Sequence, residues 1–367
     1  MPLVSKSFSD IITFTRASSG TYFDATGTLQ TATTNNARFD YDPSTLAARG
    51  MLVEEQRTNL CLHSEDFSNV AWNKLNATVT SNSSTSPSGT TTADTLSAST
   101  SDGVITQDII VSTSTNYTFS VFLKSDTTTN LTLFLFTTSF ATISSQAITV
   151  TNSWQKFTVS GNSGVNTTIR VSIGGGSTFS SPEVVYAWGA QLEAGAFPTS
   201  YIATTAASAT RSADVASVNT LSPWYNASNG TFLFIGESFG SGAETPIYTA
   251  QDSGATNMFR ASWLVSTSGL DRMLVHTSGA SVADMQSGTI TANQVFKTAT
   301  AYGTNDFAKS LNGGSVATDT LGVVPTGLNQ LIIGGGGFFS NRLNGRVQRI
   351  TYYPRRLSNA ELQGITT

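Results

Sequence analysis

Cysteine and histidine are almost absent from this chain. Cys61 is the only cysteine in 367 residues, which excludes an internal disulfide framework and any cysteine-based zinc cluster. The two histidines, His63 and His276, are far apart in the chain and form no HExxH motif. No GxxxxGK phosphate loop is present either. We therefore expect no cofactor, and we leave bound calcium open because oxygen ligands from loops leave little sequence signature.

Charge is also scarce. Only 11% of the residues are charged, and 19 Lys and Arg against 23 Asp and Glu give a formal net charge of -4. This balance disfavours a nucleic-acid partner or binding to an anionic membrane surface. The longest dense apolar run, at 131–136, is far shorter than the roughly 20 residues of a membrane-spanning helix. The first six residues, MPLVSK, show no secretory signal, so we expect synthesis in the cytoplasm and no membrane insertion.

The composition nevertheless supports a folded core. Hydrophobic residues make up 39% of the chain and aromatic residues 10%, while Ser and Thr together account for roughly three residues in ten. Helical periodicity is nearly absent, and turn residues recur between short β-branched stretches. In 116–124 one face of a half-buried strand is formed by Tyr117, Phe119, Val121 and Leu123, with Phe122 as the exception. The sequence therefore predicts an all-β protein.

Other segments refine this prediction. Residues 131–136 and 232–235 are largely apolar on both faces, which suits central strands of a sandwich. Asn312 and Gly313 tolerate positive φ and predict a tight turn after a strand that ends near Leu311. One short helix is expected at the C-terminus, where Ser358 and Glu361 form a capping box.

The chain divides into regions by these patterns. Residues 1–60 form a turn-rich module, and residues 61–203 contain the first set of strands. Residues 204–220 are small and polar, which is typical of a linker, and residues 221–367 contain the second set. The simplest account is two β-sandwich (jelly-roll) domains in series after a small N-terminal β-rich module.

The N-terminal module resembles a known family. The stretches FTRAS (14–18), GTYFD (20–24), RFDYDP (38–43) and GMLVE (50–54), followed by RTNL (57–60), look like the N-terminal domain of phage head-spike fibre and tail-fibre-like proteins. The resemblance implies that residues 1–60 attach the chain to the virion or to a neighbouring subunit.

Two further resemblances cover most of the remaining chain. SEDF (64–67) with Trp72, NSWQKF (152–157) and the closing stretch 188–202 resemble a carbohydrate-binding-module-like jelly roll. Segments at 230–232, 311–313, 343–346 and 352–358 are similar to concanavalin-A-like or laminin-G-like sandwiches. Together the resemblances imply a virion appendage that forms a homo-oligomer, binds other virion proteins and contacts the host surface, where a glycan is a possible partner. A composition rich in Ser, Thr and Gly is typical of secreted adhesins, yet the sequence shows no export signal. A virion component made inside the host cell would satisfy both observations.

One catalytic pattern matches by spacing. GESFG (236–240) has GxSxG spacing around Ser238, and Asp252, Asp271 and His276 follow in the chain order of a hydrolase triad. A nucleophile elbow needs a helix directly after the serine, and the sequence SGAETP predicts none. We favour a strand-end turn. Asp40 and Asp42 could share a face as paired carboxylates, but Pro43 favours an Asx turn there, and we expect no catalytic residues.

Ligand-binding candidates lie near the C-terminus. Phe338 and Phe339 follow Gly337 in a predicted loop, where they could bind a sugar or form an oligomer contact. Arg342 and Arg346 could bind an acidic polysaccharide, or they could lie on a solvated strand face paired with carboxylates. Core packing is the favoured interpretation for the strand tryptophans, Trp72, Trp154 and Trp188.

The leading hypothesis is a non-enzymatic structural phage protein, namely a head spike, fibre or tail-fibre component. The first alternative is a glycan-binding lectin, which predicts an exposed aromatic platform. The second alternative is a capsule depolymerase, which requires convergent carboxylates or a working Ser238.

Overall fold

A computed structural model describes residues 7–99, 102–175, 179, 183–240, 244–264, 269–336 and 341–367. The elements, in chain order, are α1 (Phe8–Ile11), β1 (Thr13–Thr15), β2 (Gly20–Phe23), β3 (Leu29–Ala32), β4 (Phe39–Tyr41), β5 (Ala48–Val53), β6 (Arg57–Asn59), β7 (Asn73–Leu75), β8 (Ala77–Ser84), β9 (Ala93–Ala98), β10 (Val104–Ile110), β11 (Asn116–Lys124), β12 (Thr129–Phe136), β13 (Thr142–Val150), β14 (Gln155–Asn162), β15 (Thr168–Gly174), β16 (Val184–Ala194), β17 (Ala209–Arg211), β18 (Val215–Val218), β19 (Asn229–Ser238), β20 (Glu244–Gln251), β21 (Met258–Leu264), β22 (Leu270–Thr277), β23 (Ala280–Thr289), β24 (Val295–Gly303), β25 (Phe307–Leu311), β26 (Ala317–Asp319), β27 (Gln330–Ile333), β28 (Gly345–Tyr353) and α2 (Asn359–Thr366). The protein is all-β, as predicted. Among the described residues, no helix has the length and apolar character needed to span a bilayer.

The chain folds into two compact units. Unit 1 comprises residues 1–19, 32–55 and 212–367, and unit 2 comprises residues 20–31 and 56–211. This division differs from the serial scheme of module, sandwich, linker and sandwich. The segment 204–220 contains β17, which pairs with β6, and β18, which pairs with β27, so it is part of the sheets and not a free linker. Val215 and Val218 in β18 are β-branched residues that favour strands.

Unit 2 is a β-sandwich. In the described residues it has two five-stranded antiparallel sheets, with strand orders β13-β12-β15-β10-β7 and β14-β11-β16-β9-β8. Strand alternation places Tyr117, Phe119, Val121 and Leu123 in the core between the sheets, as predicted. The strand is buried on both faces and not half-buried, however, because Thr118 and Ser120 on the other face are also covered. Phe122 points the other way, into a second cluster with Trp188 and Tyr201.

The tryptophans of unit 2 are packed rather than exposed. Trp72 is 1% exposed in the main core, and Trp188 is 2% exposed in the second cluster. Trp154 is only partly buried against that cluster and donates its indole N–H to the carbonyl of Thr85. These side chains therefore stabilise the fold and do not form an open stacking surface.

Unit 1 is a second sandwich. In the part of the chain that the structure describes, its two seven-stranded sheets have the orders β1-β18-β27-β20-β21-β22-β23 and β26-β25-β24-β19-β28-β5-β4. Residues of the expected N-terminal module are strands of this sandwich: β1 pairs with β18 and β5 pairs with β28. Local turn signals in residues 1–60 could not reveal these pairings, because their partners lie more than 150 residues away in sequence.

Two local predictions for unit 1 are confirmed. Asn312 and Gly313 adopt positive φ (48° and 71°) in the turn between β25 and β26. The C-terminal helix α2 begins after Ser358, whose hydroxyl accepts from the backbone N–H of Glu361 while the Glu361 carboxylate accepts from the N–H of Ser358. Leu362 on this helix is fully buried beside Leu357.

A buried ionic network joins the segments of unit 1. Arg38 contacts Glu54 at 2.7 Å and Asp214 at 2.5 Å, and Arg16 contacts Asp214 at 3.1 Å. None of these four side chains is exposed to solvent. Asp214 also accepts the backbone N–H of Glu54 at 2.9 Å. The Asp214 carboxylate, from segment 212–367, therefore binds Arg16 of segment 1–19 and both Arg38 and the backbone of Glu54 of segment 32–55.

Loss of the Asp214 charge should destabilise the protein strongly. Asp214→Asn leaves two buried guanidinium groups short of a counter-charge, and breaking a buried pair costs about 3–5 kcal/mol of unfolding free energy. Asp306→Asn is the matched control, because Asp306 is 57% exposed in its pair with Arg356 and such a pair contributes at most about 1 kcal/mol. Urea unfolding of the full chain measures both. An equal loss of unfolding free energy in Asp214→Asn and Asp306→Asn would contradict a structural role for the buried ionic network.

Candidate functional site

The residues expected to bind ligand fall in different settings. Phe338 and Phe339 lie outside the described residues. Arg342 is partly buried, and its guanidinium donates to the backbone carbonyls of Asp214 (3.2 Å) and Asn341 (3.3 Å). Its contacts include the main chain of unit 1.

Arg346 is held by carboxylates. Its guanidinium donates to Asp40 at 2.6 Å and also pairs with Glu237, and it lies 4.8 Å from the ring centroid of Phe239. Both carboxylate side chains are 3% exposed, so the ionic cluster is largely buried. Arg346 is thus paired with acids in a largely buried cluster and not on a solvated strand face.

The residues of the GxSxG pattern do not assemble into a triad. Ser238 is fully buried in β19, and its hydroxyl donates to the carbonyl of Leu343 at 2.8 Å. Asp271 lies 2.8 Å from Lys309, and Asp252 accepts from the N–H groups of an exposed turn. His276 is on β22, in the sheet opposite that of Ser238. The geometry therefore lacks the serine–base contact that nucleophilic catalysis requires.

The other chemical candidates are also occupied by structural contacts. Asp42 accepts the backbone N–H groups of Ser44 and Thr45 at 2.9 and 2.8 Å, which is the Asx turn that Pro43 indicated. Burial raises the pKa of the Cys61 thiol, which is fully enclosed in the core of unit 2. Among the described residues, no group of three or more His, Cys, Asp or Glu side chains is placed to hold a metal ion.

Ser238 should not react as a nucleophile. Its hydroxyl is inaccessible and donates to a carbonyl, so a fluorophosphonate probe is expected to leave the native protein unlabelled. Mass spectrometry of the treated protein measures this. Labelling that disappears in Ser238→Ala would contradict the assignment and favour a hydrolase.

A different set of side chains forms an aromatic cluster on the outer face of a sheet of unit 2, in which Phe134 is half-buried and Phe136 is 8% exposed. Along β12, Leu131, Leu133 and Leu135 enter the core, so Phe134 and Phe136 point to the outer face of the sheet. Their rings stack with centroids 4.5 Å apart and planes 14° apart. The run 131–136 is therefore not simply apolar on both sides of a central strand. Its outer face carries Thr132 as well as the two aromatic rings.

Phe140 completes this surface, which we call the Phe platform (Phe134, Phe136 and Phe140). Its ring lies edge-on to Phe136, with centroids 5.6 Å apart, and 46% of the residue is exposed. Phe140 follows β12 in a tight turn, where the N–H of Thr137 donates to the carbonyl of Ala141 at 2.8 Å. Its φ of 63° lies in the left-handed region, which aromatic residues rarely adopt. The backbone thus holds this ring over the sheet.

A fixed ion pair borders the platform. Arg170 on β15 donates two hydrogen bonds to Asp108 on β10, at 2.6 and 2.7 Å, and its guanidinium lies 4.2 Å from the ring centroid of Phe140. The hydrogen bond and charge of Asp108 raise the pKa of Arg170. Asp108 remains 36% exposed. The pair is therefore oriented by two bonds, yet its carboxylate is still accessible from solvent.

A shallow groove lies on β12 and β13, near the platform in sequence. It has a volume of about 210 Å³ and is lined by Asn130, Leu131, Thr132, Ala147, Ile148 and Thr149. Asn130 is paired with Thr149, and Thr132 with Ala147, across β12 and β13. The hydroxyl of Thr149 donates to the side-chain carbonyl of Asn130 at 2.7 Å. The groove wall is mostly apolar, and its polar side chains are those of Asn130, Thr132 and Thr149.

A larger pocket lies in unit 1. It has a volume of about 370 Å³, and its walls include Phe8, Phe39, Trp224 and Tyr352. Its wall is mostly apolar, as is the wall of the groove on unit 2, so polarity does not distinguish the two cavities. The Phe platform is distinguished by the exposed Phe140 ring beside an ion pair with an accessible carboxylate, a combination that suits a polar ligand.

Sequence reasoning missed the Phe platform, although a signal was present. Phenylalanine occurs at 134 and 136 in alternation with leucine at 131, 133 and 135. Once leucine is assigned to the core, period-2 alternation puts both phenylalanines on the outer face. Phe140 and Arg170 could not be added from the sequence, because the turn geometry and the β12–β15 register bring them there.

No family model and no curated protein matches the chain. Among solved structures, it is similar to the CBM40 of Ruminococcus gnavus IT-sialidase (14% identity over 39% of this chain and 84% of that chain, TM-score 0.33). It is also similar to the heptameric SAP-like pentraxin from Limulus polyphemus (15% identity, 39% and 73%, TM-score 0.33) and to sheep galectin-11 in complex with glycerol (9% identity, 34% and 89%, TM-score 0.26). At these identities and scores, the likeness does not extend to function.

Proposed function

We propose that this chain is a non-enzymatic glycan-binding protein whose unit 2 binds sugar at the Phe platform. The observation that carries the proposal is Phe140, a ring that is 46% exposed and held in contact with both Phe136 and Arg170. A pyranose ring has an apolar face that stacks on an aromatic ring, while its hydroxyl groups need hydrogen-bonding partners. The exposed Phe140 ring offers the stacking face, and the adjacent ion pair of Asp108 and Arg170 offers the hydrogen-bonding partners.

The ion pair supports this proposal. Asp108 and Arg170 are already oriented by two mutual hydrogen bonds, so a sugar hydroxyl meets groups that lose little freedom on binding. A carboxylate oxygen accepts a further hydrogen bond from a hydroxyl, because each oxygen has more than one lone pair. Such charge-assisted bonds are about twice as strong as bonds between neutral groups.

The biological setting is a finer proposal. The resemblance of 14–60 to head-spike fibre and tail-fibre-like proteins supports a virion appendage that forms a homo-oligomer and binds a host-surface glycan. In this proposal the chain is made in the cytoplasm and acts in the virion, next to other virion proteins. Mass spectrometry of purified particles from the source culture tests it. Several copies per particle are expected, and a chain found only free in the lysate would contradict it.

Removal of the Phe140 ring should weaken sugar binding. We choose Phe140→Asn because Asn tolerates positive φ, so the turn keeps its conformation while the stacking face is lost. An aromatic contact of this kind contributes about 0.5–1.5 kcal/mol beyond area burial, and with the lost area we expect about tenfold weaker binding. A glycan array with the full chain, followed by calorimetry on the best neutral hit, measures the change.

The matched control is Phe39→Asn. Phe39 is equally exposed, at 46%, but belongs to unit 1, so its loss should leave glycan binding unchanged. Thermal unfolding checks that both variants fold. Equal affinity of wild type and Phe140→Asn would contradict the proposed site, and an array without any hit would contradict the proposed function.

A further inference from the structure

We infer that the site takes a run of several uncharged sugar units lying along β12, and not a single terminal sugar. This inference rests on the proposed glycan-binding function and adds the class of glycan. It combines two features of one sheet face, the Phe platform and the groove at Asn130, Thr132, Ala147 and Thr149.

The two features lie on one face of the same strand. Asn130, Thr132, Phe134 and Phe136 alternate with core residues on β12, so all four are on its outer face; Asn130 is exposed and Phe134 half-buried, while Thr132 and Phe136 are each 8% exposed. Phe136 is six positions after Asn130, which corresponds to about 20 Å along a strand. One pyranose ring is too small to contact both ends of a surface of this length. Full occupation therefore requires a chain of linked sugars.

The stacking geometry directs the aromatic surface toward the groove. Phe136 covers one side of the Phe134 ring at 4.5 Å, with nearly parallel planes. The other side of Phe134 is therefore directed back along the strand toward Thr132. On the neighbouring strand β13, the side chains across from these residues are small: Ser145 is paired with Phe134, and Ala147 with Thr132. A sugar beside Thr132 can then stack on Phe134 while the next one reaches the Asn130 amide.

The charges favour an uncharged ligand. Arg170 is neutralised by Asp108 through two hydrogen bonds, so an acidic sugar would have to compete with a carboxylate that is already in place. The six residues that line the groove carry no charge. Amide, hydroxyl and methyl groups of this kind suit the hydroxyl and C–H groups of neutral sugars.

A chain-length series tests this inference with defined probes. Cello-, malto-, laminari- and manno-oligosaccharides, from disaccharide to hexasaccharide, are titrated calorimetrically into the full protein. For the series that binds, we expect affinity to rise at least about tenfold with length, because additional units reach the groove. Asn130→Ala combined with Thr149→Val should flatten this rise, because the sugar units that reach the groove lose their hydrogen-bonding partners there. Phe140→Asn should weaken binding at every length.

The control for the double variant is Asn162→Ala. Asn162 donates to Asn116 at 2.9 Å on the other sheet of unit 2, so this change breaks a comparable exposed cross-strand bond away from the groove. It should retain the full dependence on length, and thermal unfolding verifies the fold of each variant.

The outcomes distinguish a failure of the oligosaccharide inference from a failure of the proposed glycan-binding function. Equal affinity for disaccharide and hexasaccharide, or a double variant identical to wild type, would overturn the inference and leave the proposed function standing. Tighter binding of a uronic-acid or sialylated oligosaccharide than of every neutral one would overturn the uncharged class. Absence of binding to all of these probes would overturn both.

Discussion

Successive side chains of an extended strand point to opposite sides of its sheet, and this constraint determines the surface of unit 2. On β12 the core requires leucine at alternate positions, 131, 133 and 135. The residues between them are then committed to the outer face, whatever their polarity. Because two of these residues are phenylalanine, the packing of the interior produces an aromatic surface on the exterior.

Unit 1 depends on a different interaction. Its chain segments are separated in sequence, and Asp214 binds groups from both of the N-terminal ones. Arg16, Arg38 and Glu54 are all fully buried around it, so each charge needs its partners in place. Such a network is specific because a wrong pairing would leave an ion without a counter-charge. It ties the early strands to the sandwich formed by the later part of the chain.

The sequence predicted what depends on neighbouring residues. The alternation in 116–124, the turn at Asn312 and the capping box at Ser358 are local patterns, and the structure confirms all three. The pairing of β1 with β18 depends on contacts between distant residues, which composition and turn signals do not encode.

The same distinction applies to the candidate site. The spacing of Phe134 and Phe136 was enough to place both rings on the outer face, although this was missed. The ion pair of Arg170 with Asp108 depends on the register of β10 with β15, which the sequence does not show. Arg342 and Arg346 were candidates because of their charge, but Arg346 is paired with two acids. The residue type alone is thus a weaker guide to a site than the face on which each side chain lies.

The turn that carries Phe140 has an energetic consequence for recognition. A left-handed backbone at a non-glycine residue costs of order 1–3 kcal/mol during folding. The ring that this turn carries already contacts Phe136 and Arg170 before a ligand arrives, so it has less conformational entropy to lose on binding. Part of the entropic cost of binding is therefore met when the polypeptide folds. The expected kinetic consequence is a slow dissociation rate of the bound ligand.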